Sequence, residues 1–479
     1  MKAARKLSAL ALAGALALAG ALAGCAAVGP DYHLPSQAAL GKPAANAAFL
    51  SASAPAFAQQ PVPAGWWRLY DDARLDTLVA EALAANADIR AAAANLRKAL
   101  AVEASVNAER DPHASVSAAV QRAQDSGEAY LIEKKLPVAN VGDGGLKIGY
   151  EIDLFGKLAR AEEAARAGTQ ASEAAMDLAR TTVAAETVRA YVQGCAAGHQ
   201  LAVAKHELDL QNRGVAVAKR MQSAGRGRAT DVERAQAQAD IQRAALPRLQ
   251  AEQDAARFRL AALLGKAPAE LPAAACSDLP RLKQPLPVGD GAALLKRRPD
   301  VREAERKLAA ATARIGVAAA QLYPSISLGA SAGVTGLLEH AGEDRTRRWS
   351  LGPLISWTIP DSGARARVKA AEADADAALA HFDGVVLNAL RETETALTFY
   401  AKDLERNADL RSARDNARAA AQDNRRLYAA GRAPYLASLD ADRALAGNES
   451  ALAASDAQVA LDQVNLFLAL GGGWEQIPR

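Results

Sequence analysis

Two short stretches of the chain combine a glycine turn with arginines and an aspartate. The first, "GRGRATDVERAQAQ", runs from Gly225 to Gln238, and the second, "GRAPYLASLDADRAL", runs from Gly431 to Leu445. Each stretch follows a long Ala-rich tract and opens another. A carboxylate near a helix start is favoured by the helix macrodipole, so a cap is one interpretation of Asp231. Asp440 lies further from its glycine, where capping is a weaker explanation.

Residues that could carry covalent or metal chemistry do not form a recognisable pattern. The six histidines occur outside any HExxH motif, and the chain has no CxxC, P-loop or nucleophile-elbow sequence. His199 and His206 are spaced to share a helix face, but a third ligand is not clearly placed, so we interpret both as surface residues. We therefore expect neither an enzyme nor a metal site, and no cofactor other than a covalent lipid.

The N-terminus is typical of an exported protein. Lys2, Arg5 and Lys6 precede an apolar run that ends in "LAGC", Leu22 to Cys25. "LAGC" resembles a bacterial lipobox, which predicts a signal peptide over 1–24, a lipid on Cys25 and a lipidated tether over 25–64. An uncleaved membrane anchor is the alternative, although the apolar run is marginal for a span of about 20 residues. Ala26 is not an aspartate, which favours the outer membrane.

Charge gives no reason to expect a nucleic-acid partner. The formal net charge is +3, from 57 basic and 54 acidic residues. The three basic residues of the signal peptide account for all of it, because 57 minus 3 leaves 54. A balanced chain of this kind lacks the electrostatic footprint of a nucleic-acid-binding protein.

The turns belong to two halves that repeat each other. Gly156 to Gly225 spans 69 positions and Gly363 to Gly431 spans 68, which indicates internal duplication. We predict a first repeat over 65–285 and a second over 286–479. The tracts between these glycines contain no proline, and about 65 helical residues make a rod of roughly 100 Å. The predicted long helices are 157–223, 230–265, 363–429 and 435–470.

Each repeat also contains two stretches with alternating apolar residues. They predict strands at 113–122 and 146–155, then at 325–334 and 349–359. Each run is about ten residues long, as a tilted strand needs to cross a bilayer. Four strands leave two edges unpaired in lipid, so copies of the chain must join through their strand edges. Two copies would give eight strands and three would give twelve, and the pattern alone does not choose.

Several segments together resemble the TolC-like outer-membrane efflux proteins, and among them the NodT-type lipoprotein channels of tripartite pumps. They are "LAGCAAVGPDY", "WWRLYDDARLDTLVAEALAANADIRAA", "YEIDLFGK", "LLKRRPDVREAERKLAAATARIGVAAAQLYPSISL" and the paired turns. The resemblance covers essentially the whole mature chain. It implies an α+β membrane protein: a homotrimer with a twelve-stranded β-barrel, a long periplasmic α-helical barrel and a small equatorial domain.

The resemblance also assigns a periplasmic gate to the turns. Asp440 matches a constriction aspartate, and Leu436 matches an apolar gate residue one helical turn earlier. Tyr428 and Asp231 match residues that tie neighbouring tip helices in the closed state. Arg432 departs from the pattern, because that position is apolar in the lipoprotein members. A gate arginine of related channels aligns with Ala433, so the arginines that could substitute are Arg226, Arg228 and Arg432.

Cys195 and Cys276 have two interpretations. In an oxidising periplasm they can form a disulfide, and otherwise they are two unpaired buried thiols. In the implied architecture, Cys195 lies about 45 Å above the Gly225 turn by helical rise. The following helix climbs back past that height, so Cys276 could return to it and bond the long helix to the equatorial belt.

The function implied is a passive exit duct for drugs or other small solutes. Its expected partners are an inner-membrane RND-type transporter, a periplasmic adaptor and outer-membrane lipid. The alternatives are a type I protein-secretion duct and a structural lipoprotein spacer without a pore. The cargo does not follow from these residues.

Overall fold

The computed structural model describes residues 27–128, 131–271, 276, 278–280, 282 and 284–472. The signal peptide expected over 1–24 and the lipidation site at Cys25 lie outside the described residues.

Long helices dominate the described chain. α1 (Ala73–Ala85) and α2 (Ala87–Ala108) lead to the first strands, and then come α3 (Lys157–Ser223) and α4 (Ala229–Leu263). In the second half, α5 (Gly291–Arg297) and α6 (Pro299–Ala320) precede α7 (Ala364–Ala429) and α8 (Tyr435–Ala469). Alanine, the best helix former, is the commonest buried residue on α3, so close packing there needs little side-chain volume.

The strands form two separate sheets. β1 (Phe57–Ala58) pairs in parallel with β4 (Leu286–Pro287). The larger sheet has the order β2-β3-β5-β6 and is antiparallel throughout, with β2 (His113–Ala123), β3 (Ala139–Ile152), β5 (Ser325–Leu337) and β6 (Arg347–Ser356). Its central register pairs Tyr150 with Leu328 and Ile148 with Ala330. Within the described chain, β2 and β6 are the edges of this sheet.

Strand β3 begins seven residues before the expected start at 146. With the strand expected to start at 146, residues 139–145 belonged to the preceding loop. Their sequence, "ANVGDGG", is rich in residue types that are depleted in strands. In the structure these residues pair with β2 and β5, and the close approach requires glycine. A Cβ on Gly145 would lie 3.0 Å from the backbone oxygen of Ala332. Tertiary pairing therefore overrides local propensity here. β3 and β6 also end three residues earlier than expected.

The backbone separates into two compact units that cut across the sequence repeats. One unit comprises Met1–Leu34, Leu96–Ser172 and Ala304–Phe382, of which the residues from Ala27 on are described; it contains the larger sheet. The other comprises Pro35–Asn95, Glu173–Glu303 and Asp383–Arg479 and contains both hairpin turns. Each unit thus takes segments from both halves of the chain.

The stretch expected to be a lipidated tether is attached to the protein along much of its length. It contains two short 3-10 helices, Ala39–Gly41 and Pro43–Asn46. The backbone N–H of Ala39 donates to Asp383 at 2.7 Å, and that of Leu50 donates to Glu394 at 2.7 Å. These carboxylates on α7 satisfy amides that the segment cannot satisfy itself, which an analysis of its composition could not foresee.

Just after the end of the expected tether, aromatic side chains form part of the core of the second unit. The ring of Trp66 stacks on Phe467 of α8, with centroids 4.5 Å apart. Both side chains are fully buried, as are Leu75 of α1, Leu264 and Leu397 of α7. Among the residues that the structure describes, no helix combines the length and apolar character needed to cross a membrane.

Cys195 on α3 and Cys276 are joined, with sulfur atoms 2.02 Å apart. Cys276 lies directly on the helix, since a Cβ on Gly198 would be 1.9 Å from the carbonyl oxygen of Cys276. The absence of a side chain at Gly198 thus makes room for Cys276. The structure thus contains a disulfide rather than two unpaired thiols.

We expect a non-reducing peptide map of the purified protein to recover Cys195 and Cys276 in one linked peptide. The chain-entropy estimate for a loop closed across 81 positions is about 4.5 kcal/mol. Reduction, or Cys276→Ser, should therefore lower the thermal unfolding midpoint measured by circular dichroism. Two free thiols in the oxidised protein would contradict the pairing.

Candidate gate at the two hairpin turns

The two turns have the same backbone hydrogen bonds. Gly225 and Gly431 adopt left-handed conformations, with φ of +72° and +70°. At the first turn, Arg226 N–H donates to Met221 at 2.9 Å; at the second, Arg432 N–H donates to Leu427 at 2.8 Å. Each glycine also donates three residues back. This is the Schellman arrangement that ends helices at a glycine, so one chain contains the same turn twice.

Asp231 begins α4. Its carboxylate accepts the backbone N–H of Arg228 at 3.2 Å, which closes the first turn of the helix. Within one chain, Asp231 therefore acts as a helix-start residue. Helix capping was one of the interpretations that the sequence allowed for Asp231. The remaining lone pairs of its carboxylate can still accept hydrogen bonds from a neighbouring helix.

Tyr428 lies against a second tyrosine that the sequence analysis did not single out. The rings of Tyr428 and Tyr435 are 5.4 Å apart. The Tyr435 hydroxyl donates to the carbonyl oxygen of Gly214 on α3 at 2.6 Å. Burial, with help from nearby Asp442, Tyr428 and Asp231, raises the pKa of Tyr435 to about 12, so its proton stays in place for this bond. Tyr435 thus ties α8 to α3 beside the turns.

The three residues that follow on α8 point to different surroundings. Leu439 is buried with Val215 and Ala218 of α3 and Ala239 of α4. Leu436 and Asp440 remain exposed, the side chain of Asp440 to 61%. Asp440 is 3.5 Å from Arg443. One face of the helix therefore packs within the chain, while the face with both expected gate residues is left to solvent.

The arginines of the turns are also exposed. Arg226, Arg228 and Arg432 all lie on the surface of the chain. Arg432, at the position where the sequence departs from the family pattern, therefore presents its charge beside the second turn.

A ladder of ion pairs connects α7 and α8 above the second turn. Arg425, Arg418 and Arg411 are seven residues apart on α7, and Asp442, Glu449 and Asp456 are seven apart on α8. The pairs Arg425–Asp442, Arg418–Glu449 and Arg411–Asp456 have N–O distances of 2.8, 2.6 and 3.3 Å. A partly exposed pair contributes only about 0–1 kcal/mol. The ladder's main effect is therefore to fix the antiparallel register.

Glu207 of α3 is nearly fully buried against this ladder. Burial raises its pKa to about 8, and a hydrogen bond and repulsion from Glu449 add to the shift, while Arg425 opposes it. Near neutral pH, Glu207 therefore keeps its proton and shares it with Glu449. This contact joins α3 to the α7–α8 hairpin through a proton. Sequence reasoning missed Glu207, although the seven-residue spacing of the ladder is visible in the printed sequence.

Comparison with known proteins gives this geometry a context. The family described as "Outer membrane efflux protein" matches residues 78–266 and 292–472, well over half of the chain. The chain belongs to the outer membrane efflux protein family. It is accordingly an efflux channel of the bacterial outer membrane, and the fold expected from the sequence is confirmed. Channel proteins, rather than enzymes, make up this family.

Three similar proteins illustrate the relationship. Outer membrane protein OprJ of Pseudomonas aeruginosa is 32% identical, over 86% of each chain. The probable outer membrane lipoprotein SilC of Salmonella typhimurium is 27% identical, over 94% of this chain and 96% of SilC. The solved outer-membrane channel OprN is 37% identical, covers 93% of this efflux protein and 99% of its own chain, and superimposes with a TM-score of 0.86.

We expect the stability of the channel to fall as pH rises through about 8. The folded-state pKa of Glu207 is raised, so its contribution is complete below the unfolded pKa of 4.5 and is lost progressively as the pH rises from there to about 8. The slope is at most about 1.4 kcal/mol per pH unit. Thermal unfolding midpoints between pH 6 and pH 9 measure it.

Glu207→Gln should flatten this pH dependence, because an amide does not titrate. Glu405→Gln is the matched control, since its side chain is 65% exposed on α7. The same alkaline loss of stability in Glu207→Gln and in the wild type would refute the role of the shared proton.

Proposed function

We propose that three copies of this chain form a passive, gated exit duct. The energy comes from an inner-membrane RND-type transporter, and a periplasmic adaptor joins that transporter to the hairpin turns. The proposal is supported above all by one combination: a sheet with strands long enough to cross a bilayer, and two hairpin turns of identical geometry, within one efflux-family chain.

The edges of the larger sheet support the trimer. β2 and β6 leave one side of their backbone unpaired within the described chain, and in lipid such groups must find partners. Exposed apolar side chains lie on both edge strands, among them Val116, Trp349 and Leu351. Pairing β6 of one copy with β2 of the next satisfies the edges. Three copies give twelve strands, which is wide enough for a channel.

The exposed face of α8 supports the gate. Three copies would bring three Leu436 and three Asp440 side chains around one axis. Carboxylates in a ring repel one another and attract cations, as charged rings do in channels. Tyr428, Asp231 and Arg432 lie at the same turns and are placed to bind the neighbouring copy. Opening then requires the α7–α8 hairpin to move, and its ladder lets it move as one packed element.

A lipid on Cys25 completes the proposal. The "LAGC" sequence and the lipoprotein relative SilC support it. Three acyl chains exceed the two-signal threshold for stable membrane anchoring. The proposal does not extend to the cargo.

We expect Asp440→Ala to raise single-channel conductance in planar bilayers several-fold, since it removes one constriction of the closed state. The double variant Asp231→Asn with Tyr428→Phe should do the same by loosening the turns. Asp423→Asn is the control, because Asp423 is an exposed aspartate on α7 outside the expected gate.

The same recordings separate the alternatives. A structural spacer would pass no current in any variant. A duct whose conductance is unchanged in the Asp440 and Asp231/Tyr428 variants would retain the channel and contradict the gate. Antibiotic sensitivity of cells that carry each variant gives the corresponding measurement in vivo.

A further inference from the structure

The residues that follow the expected lipidation site are held at one end of the larger sheet. We call Ala27–Tyr32 the leader. The backbone N–H of Val28 donates to the carbonyl oxygen of Phe155 at 3.1 Å, just after β3. A Cβ on Gly156 would lie 2.3 Å from the Cβ of Ala27. The leader thus reaches the sheet at the end where the strands continue into helices, away from the loops after β2 and β5.

Arg160 on α3 holds the leader by its backbone. Its guanidinium donates to the carbonyl oxygens of Val28 at 3.3 Å and Gly29 at 3.2 Å, and to the carboxylate of Asp31 at 2.7 Å. Glu163 accepts a further bond at 2.8 Å. The side chain of Arg160 is only 8% exposed. A buried guanidinium that uses its donors on one short segment is a built binding site for that segment.

A third part of the chain completes the site. Gly29 has φ of +91°, and a Cβ there would lie 2.4 Å from the Cα of Gly316 on α6. A Cβ on Gly316 would lie 2.8 Å from the carbonyl oxygen of Val28. The leader therefore crosses α6 at a point where two glycines are required. Tyr32 then donates to Glu305 at 2.9 Å, and the guanidinium of Arg306 lies over its ring.

Three separated sequence motifs therefore meet at one place. "VGPDY" follows the lipobox, "YEIDLFGKLAR" follows β3, and "EAERKLAAATARIG" lies on α6. Neither the gate nor the closure of the sheet requires them to meet. Their common feature is that together they immobilise the residues directly after Cys25.

The number of residues between Cys25 and the leader determines how far the lipid can lie from the sheet. Cys25 lies two positions before Ala27, and two extended residues reach at most about 7 Å. A free tether of the 40 residues that the sequence analysis assigned would instead have a root-mean-square reach of about 35 Å. The docked leader thus shortens the reach of the lipid roughly five-fold.

We propose that the leader and its binding site position the acyl chains of Cys25 at the helix-proximal end of the sheet, and that Arg160 is the positioning residue. The lipid then acts as a depth reference that holds this end of the sheet at the membrane surface while the strands insert. The inference depends on the lipidation proposed above. Its ligand is a segment of the same chain, and its effect is on insertion rather than on anchoring.

The first test compares Arg160→Ala with Arg166→Ala, an exposed arginine on the same helix. Palmitate labelling should be equal in both variants and the wild type. In Arg160→Ala, amide hydrogen exchange over residues 27–34 should accelerate at least ten-fold, and the yield of SDS-resistant trimers in membranes should fall several-fold. Arg166→Ala should resemble the wild type in all three measurements. Fast exchange with a normal trimer yield would overturn the positioning role.

Two further variants leave Arg160 in place, and they cover the case in which Arg160→Ala fails to fold. Gly316→Ala favours the helix locally, because alanine is the better helix former. Its Cβ would lie 2.7 Å from the Cγ of Arg160 and 2.8 Å from the carbonyl oxygen of Val28, so it displaces the leader together with the side chain that binds it. Insertion of six Gly-Ser residues between Ala26 and Ala27 keeps the leader docked and lengthens only the reach of the lipid. Both should lower the trimer yield with labelling intact. A normal yield from the insertion variant would refute the proposal.

The labelling result separates this inference from the proposed lipidation. If the wild type takes up no palmitate and Cys25→Ser behaves like it, the lipid itself is absent, and both proposals fail together. If the wild type is labelled and all three variants insert normally, lipidation stands and the positioning role alone is refuted.

Discussion

Alanine-rich helices pack closely, but alanine contacts alone do not select one register. The rest of the structure depends on this constraint. A buried alanine offers one methyl group, so sliding two such surfaces past each other changes little contact area. Long helices of this composition need a few specific contacts to select one alignment. The structure supplies them sparsely: the ion-pair ladder between α7 and α8, the hydrogen bond from Tyr435 to Gly214, and the disulfide on α3.

These contacts support the gate proposed for the hairpin turns. Ion pairs that are weak individually keep α7 and α8 in register. The hairpin is attached to α3 by contacts that include a hydroxyl hydrogen bond from Tyr435 and a proton shared by two glutamates. These glutamates are Glu207 and Glu449. A packed element with strong internal register and a weaker external attachment has the physical requirements of a two-state device.

Arginines with mostly buried side chains also hold segments together where large apolar side chains are few. Arg160 binds the leader, and Arg298 binds Asp300 and Glu392 and also donates to the carbonyl oxygen of Ala469 at 3.0 Å. In both places one planar guanidinium joins three segments that have few large side chains. This is how the motifs "LFGKLAR" and "RRPD" become structural rather than chemical features.

Local sequence patterns determined most of the secondary structure and the internal duplication of this protein. The two longest helices, α3 and α7, followed from alanine content and the lack of proline. The strands followed from alternation, and the duplication from the spacing of Gly156, Gly225, Gly363 and Gly431. The turns at Gly225 and Gly431 could be located because only glycine readily adopts the left-handed conformation there. Such features depend on neighbours in sequence, so the sequence alone is sufficient.

Only the tertiary structure decided which residues meet across the chain. The docking of the leader on Arg160, the burial of Glu207 and the role of Tyr435 all depend on partners more than a hundred positions away. The early start of β3 depends on pairing with β2 and with the distant β5. The glycine-rich start of β3 has poor strand propensity and becomes a strand because β2 and β5 pair with it. A glutamate looks solvent-exposed in an alanine-rich helix until another helix covers it. Long-range pairing supplies the free energy in these cases, and local sequence does not encode it.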